Sequence, residues 1–116
     1  MSEIEDLLKS GADVNTSDKN DFTLLMSFVN KGDEETVKIL LDYGASVNSK
    51  DFFNLTALDY AIRKKYLNIA KLLVSSGAVI TNDNYMLAVQ SNYKELVDYF
   101  DTLDPNKHIF LKNKMK

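Results

Sequence analysis

Gly11-Ala12-Asp13-Val14-Asn15 returns as Gly44-Ala45-Ser46-Val47-Asn48 and again as Gly77-Ala78-Val79-Ile80-Thr81, and both steps are 33 residues. A fixed period of this length marks a repeat architecture, in which each unit is too thin to bury its own apolar face and stacks on its neighbours. The columns between the markers agree as well. Asp18 and Thr23-Leu24-Leu25 answer to Asp51 and Thr56-Ala57-Leu58, while Val37, Leu40 and Leu41 answer to Ala70, Leu73 and Val74.

Each unit reads as two short antiparallel helices followed by an extended turn. Thr23 is placed to cap a helix with Leu25 and Phe28 at i and i+3 on one face. Gly32 ends that helix in the left-handed region, and Asp33, Glu34 and Glu35 open the next, where the macrodipole favours negative charge. Val37, Leu40 and Leu41 form its buried stripe, and Gly44 stops it. In the third unit Thr56 and Asp59 make a capping box, Leu58 and Ala61 face inward, Leu72 and Leu73 pack, and Gly77 terminates. Lys65 stands where Gly32 stands one unit earlier, and a positive φ there costs lysine about 1 kcal/mol.

These residues resemble the ankyrin repeat, whose unit carries a Thr-Pro-Leu-His core and a Gly-Ala-x-Val-Asn tail. The resemblance implies an all-α solenoid of stacked antiparallel helix pairs with short β-hairpin-like fingers. It divides the chain into an ankyrin repeat domain over 1-104, with a half repeat 1-17, repeats 18-50 and 51-82 and a truncated capping repeat 83-104, followed by a basic C-terminal tail 105-116. This sequence departs from the family pattern at several columns. The family proline is Leu24 and Ala57, the histidine is Met26 and Asp59, and the tip glycine is Asp21 and Asn54, residues that still tolerate the left-handed region.

Both ends are irregular. Ile4, Leu7 and Leu8 belong to a second helix whose first helix is missing. At the other end a step of 27 aligns Ala88 with Ala61 and Asn92 with Lys65. The finger is therefore cut short, and a closing pair over about Asn84 to Asn92 and Tyr93 to Leu103 should turn Leu87, Ala88, Leu96, Val97 and Phe100 inward.

The chain has 116 residues, 14 Lys+Arg against 17 Asp+Glu, and no cysteine. That leaves one small core, no room for separate substrate and cofactor domains, and no disulfide, thiolate metal site or cysteine nucleophile. No run approaches the ~20 apolar residues of a bilayer span. No leader is recognisable before Glu3, so a cytoplasmic address is expected, with delivery as a secreted effector left open. Acidic side chains outnumber basic ones up to Ala61, and the reverse holds beyond it.

His108 is the sole histidine, which removes two-histidine metal sites and a Ser-His-acid triad. Gly-rich phosphate loops are absent, and Asp18, Asp21 and Asp51 lack calcium-loop spacing and read as turn residues. No catalytic residue, metal or cofactor is expected, and the chain does not read as an enzyme.

The resemblance implies a protein partner held by the hairpin tips and the inner face of the first helices. In the second unit these positions are Lys19, Asn20, Phe22, Ser27, Asn30 and Lys31. In the third they are Phe52, Phe53, Leu55, Tyr60, Arg63 and Lys64. Two aromatics and a leucine at a tip, beside tyrosine and arginine, have the composition of an interface hot spot. The same phenylalanines have a second use, lying over the gap left by the missing finger or beneath Ile109-Phe110-Leu111. The tail, with Lys107, Lys112, Lys114 and Lys116, either binds phosphates or folds back over the stack.

The reading that results is a non-enzymatic protein–protein interaction module, an adaptor without cofactor or membrane anchor. Two others stand beside it. One is self-association through the irregular repeat ends, giving a weak homo-oligomer. The other is weak binding of nucleic acid by the basic C-terminal half, although four tail lysines are a poor signal for that partner.

Overall fold

Seven helices organise residues 3–104, the part of the chain that the computed structural model describes. They are α1 (Glu3–Lys9), α2 (Leu24–Lys31), α3 (Glu34–Asp42), α4 (Ala57–Lys64), α5 (Leu67–Ser75), α6 (Asn82–Gln90) and α7 (Lys94–Leu103). Among the described residues there is no strand, only an antiparallel bridge between Ser17 and Thr23. The described residues fall into two compact units, one ending at Val79 and one beginning at Ile80.

In the first unit α2 packs on α3 and α4 on α5, each pair joined by a two-residue turn. Across repeats α2 lies against α4 and α3 against α5, so like helix stacks on like. The core runs through Leu25, Met26, Val29, Val37, Leu40, Leu58, Ala61, Ile62, Ile69, Ala70 and Leu73, all at most 2% exposed. Burial of this apolar surface is the main favourable contribution to stability.

Three details differ from the sequence expectation, the first being Leu41, which is half-buried while Thr36, Val37 and Leu40 form the buried face of α3. The stripe of α2 is Leu25, Met26 and Val29, whereas Phe28 is half-buried with the Lys31 ammonium 4.8 Å from its ring centroid. An eight-residue helix flanked by α3 and α4 must bury two adjacent positions, and Met26 supplies the second. In α1, Leu8 is buried and Leu7 is 56% exposed. Neighbouring positions on a helix are about 100° apart, so a single contact face takes one of them.

Local hydrogen bonds set the ends of these short helices. Thr23 Oγ1 accepts the Met26 N–H at 3.1 Å, and the Thr23 N–H reaches Met26 Sδ at 3.4 Å. Thr56 and Asp59 exchange the corresponding pair, with the Thr56 N–H donating to Asp59 Oδ2 at 2.9 Å. Asp33 caps α3 by accepting the Thr36 N–H at 3.1 Å and the Thr36 hydroxyl at 2.7 Å. Gly32 ends α2 at φ 73°, and Lys65 ends α4 at φ 60°, the left-handed position anticipated for it. A Cβ at Gly32 would lie 2.9 Å from the Tyr66 ring.

The marker pentapeptides are also linked to one another. Asn15 Oδ1 accepts the Ser46 N–H at 2.8 Å. One repeat on, Asn48 Oδ1 accepts the Val79 N–H at 2.8 Å, and Asn48 Nδ2 donates to the Gly77 carbonyl at 3.0 Å. Each asparagine therefore reaches forward to the turn of the next repeat.

The second unit is the pair α6 and α7. Alignment put Thr81 in the asparagine column, yet here it caps α6, exchanging bonds with Asn84 at 3.1 and 2.9 Å. α6 thus begins at Asn82, two residues ahead of the expected start, because Thr81 does the work of Thr23 and Thr56. Ala88, Leu96 and Phe100 are buried as expected, while Leu87 and Val97 are half-buried. Tyr85 is fully buried, 6.5 Å from Phe100 between ring centroids, and its hydroxyl donates to Asp101 Oδ1 at 3.1 Å. The tail 105-116, with His108, Ile109-Phe110-Leu111 and the lysines around them, lies outside the described residues, as do both readings of it.

Two sets of substitutions test this account by urea denaturation. Asn48→Ala should cost about 1 kcal/mol and more than Asn15→Ala, since it removes two inter-repeat bonds instead of one. Lys65→Gly should stabilise by roughly 0.5–1 kcal/mol, and Gly32→Ala should destabilise by about 1 kcal/mol or more, because strain at positive φ is compounded by the Tyr66 ring.

Candidate functional site

Two finger turns are built on the same aspartate column. Asp18 Oδ1 accepts the N–H groups of Asn20 at 2.8 Å and Phe22 at 3.1 Å, and its own N–H donates to the Phe22 carbonyl at 3.1 Å. Asp51 repeats the pattern, accepting the Phe53 N–H at 2.9 Å and the Leu55 N–H at 3.0 Å. At the tips Asp21 and Asn54 take φ of 58° and 64°, as expected of the residues replacing glycine. The two carboxylates are committed to the backbone as turn anchors, which is how sequence spacing read them. The fingers are also joined directly, the Phe52 N–H donating to the Asn20 carbonyl at 2.8 Å.

Behind the tips lies an aromatic seam. Phe22 meets Tyr60 edge to face, with centroids 5.4 Å apart and planes at 88°. The Tyr60 hydroxyl donates to the second oxygen of Asp51, which is itself only 7% exposed. Burial, followed by the hydrogen bond to Asp51 and its negative charge, pushes the Tyr60 phenol up from 10.0 to about 12. A phenol so held is a structural donor, with no proton to give at neutral pH. The Asp51–Tyr60 link was not anticipated. Its column is Ser27 in the preceding repeat, so Tyr60 has no counterpart to signal a partner for the aspartate.

The proposed partner-binding positions therefore fall into two groups. Phe22, Leu55 and Tyr60 are half-buried in or beside the seam, and Ser27 and Asn30 are half-buried on α2. Lys19, Asn20, Lys31, Phe52, Phe53, Arg63 and Lys64 are exposed. Phe52 and Phe53 are 74% and 71% exposed and contact each other edge to face at 6.0 Å between centroids. Apolar side chains this exposed, on a turn whose backbone groups are bonded, are unusual on a monomer surface. Cover by Ile109-Phe110-Leu111 falls outside the described residues.

Among the described residues no three of His, Asp and Glu gather into a group able to hold a metal ion. No described helix is long and apolar enough to cross a membrane. An open cleft of about 270 Å³ beside the first finger is lined by Thr16, Ser17, Asp18, Phe22, Thr23, Leu24 and Ser27. Asp18 is engaged there by backbone amides, so what the surface offers is shape and contact.

The family model described as ankyrin repeats, in three copies, matches residues 2–84. No curated protein matches the chain.

Absorbance titration of the tyrosines should resolve one phenol near pH 12 that Asp51→Asn moves back toward 10. The sign of the linkage follows. The folded state holds this proton more tightly than the unfolded chain, so the stabilisation is complete below pH 10 and is lost as pH rises from 10 to about 12. Thermal unfolding of Tyr60→Phe across that range should lack this loss.

Proposed function

The chain belongs to the ankyrin repeat family, and from that premise we propose that it is a non-enzymatic adaptor that holds another protein against its finger tips and the adjoining end of α4. Ankyrin repeats are in general protein–protein interaction modules. The observation that carries the finer reading is the exposure of Phe52 and Phe53 on a turn held rigid by Asp51. Solvated phenylalanines lose water favourably when a partner covers them, and a fixed backbone gives up little entropy on docking. Tyr60 ties the second finger to α4 through Asp51, and Phe22 of the first finger packs edge to face on its ring. Arg63 and Lys64 complete it with charge.

The test is affinity capture from lysate of the source organism with wild-type protein and the Phe52→Ala/Phe53→Ala variant as baits. A partner retained by the wild type should be lost by the variant, whose melting temperature stays within about 2 °C because the side chains removed are exposed. A large fall in melting temperature with partner binding intact would assign the phenylalanines to the protein's own stability instead.

A further inference from the structure

The charges on the finger side of the first unit are sorted by whether the protein uses them itself. Asp18 and Asp51 accept backbone amides of their own turns, Asp33 caps α3, and Asp59 accepts from Thr56. Asp21 is the one carboxylate on the two fingers and on α2 and α4 that makes no such bond among the described residues. The cations are not used this way. Lys19, Lys50, Arg63 and Lys64 are exposed, and no described carboxylate lies within 4.0 Å of them. Apart from Asp21, the free acidic side chains of this unit sit elsewhere, as Glu3 and Asp6 of α1 and Glu34, Glu35 and Asp42 of α3.

Helix electrostatics explains part of this pattern but not all of it. Arg63 and Lys64 occupy the last turn of α4, where the macrodipole favours cations. Lys19 and Lys50 are in the finger segments, where no helix ends. Arg63 is also within electrostatic reach of Tyr60, whose hydroxyl holds Asp51, the residue next to Phe52. Free positive charge and exposed aromatic surface therefore both belong to the fingers and to α4, the helix into which the second finger leads.

We infer that the segment of the partner bound by the fingers and α4 is an acidic polypeptide stretch with apolar side chains interspersed among its carboxylates, an assignment that rests on the reading of this surface as a protein-binding site. Carboxylates pair with the Arg63 guanidinium and the lysine ammoniums, and aliphatic or aromatic side chains cover Phe52 and Phe53. An anionic bilayer offers the same two chemistries. The polar tip disfavours it: driving the phenylalanines into hydrocarbon would carry Asn54, which shares their turn at φ 64°, away from any hydrogen-bonding partner.

The experiment selects random peptides displayed on phage against the immobilised full-length protein. The enriched peptide is then titrated, with a fluorescent label, into wild type, Phe52→Ala/Phe53→Ala and Arg63→Glu/Lys64→Glu. The expected result is enrichment of acidic peptides carrying leucine or aromatic residues. Affinity should fall by about tenfold or more in each variant, and by a comparable factor when salt rises from about 50 to 500 mM. Peptides without acidic bias, or affinity that charge reversal leaves unchanged, overturn the acidic assignment. If the phenylalanine variant still loses binding in that case, the protein-binding surface itself survives. Binding indifferent to both variants overturns both readings. Absence of enrichment, with phosphatidylserine vesicles bound through the same residues, moves the surface to membranes. A dimer in light scattering that charge reversal dissolves makes the occupant an acidic helix of a second copy.

Discussion

Side-chain oxygens that accept backbone N–H groups, recurring at 33 residues until Thr81 shortens the step, fix the turns and helix starts of a chain whose helices are too short to persist alone. Helices of seven to ten residues are marginal in water, and a pair of them buries one face only. Asn15 and Asn48 lock each turn to the next, Asp18 and Asp51 close the fingers, and Thr23, Thr56 and Thr81 start the first helix of each pair. Each of these groups satisfies a donor that would otherwise be left at a helix end or in a loop. The apolar core supplies the favourable free energy, and these bonds fix the register of the elements that form it.

That division of labour explains what is legible in the sequence. The period shows in the repeated columns themselves, and the caps at Thr23 and Thr56, the left-handed Lys65, Asp21 and Asn54, and the turn role of the aspartates each rest on a residue and its neighbours within about four positions. Burial in α2 is different. Phe28 and Met26 are both apolar, and only the packing of α3 and α4 around the helix decides that Met26 goes inside. Thr81 falls in the asparagine column by spacing but acts as the cap of α6, which moves the start of that helix two residues ahead of expectation. The bond between Tyr60 and Asp51 crosses a turn and has no equivalent one repeat earlier, so no periodicity announces it.

The candidate surface was legible in composition and less so in geometry. Phe52 and Phe53 stand out in sequence because a tip is an unusual place for aromatics, and they are exposed. Phe22 and Tyr60 share the columns of that surface, yet they pack edge to face on each other and are half-buried. Columns of the repeat identify positions on the fingers and on the first helix of each pair. They do not distinguish a side chain that faces outward from one that supports its neighbour.

The backbone bond from Phe52 to Asn20 has a further consequence. Because it uses main-chain atoms, the side chains of Asn20 and Phe52 take no part in it, and the bond survives any residue at position 52 except proline, which lacks the N–H. Residues 19, 20, 52 and 53 therefore form a largely exchangeable set on a backbone held by main-chain and aspartate bonds. Drift at these four sites would recast the exposed surface while leaving the joint between the loops in place, and so would deliberate randomisation in the laboratory.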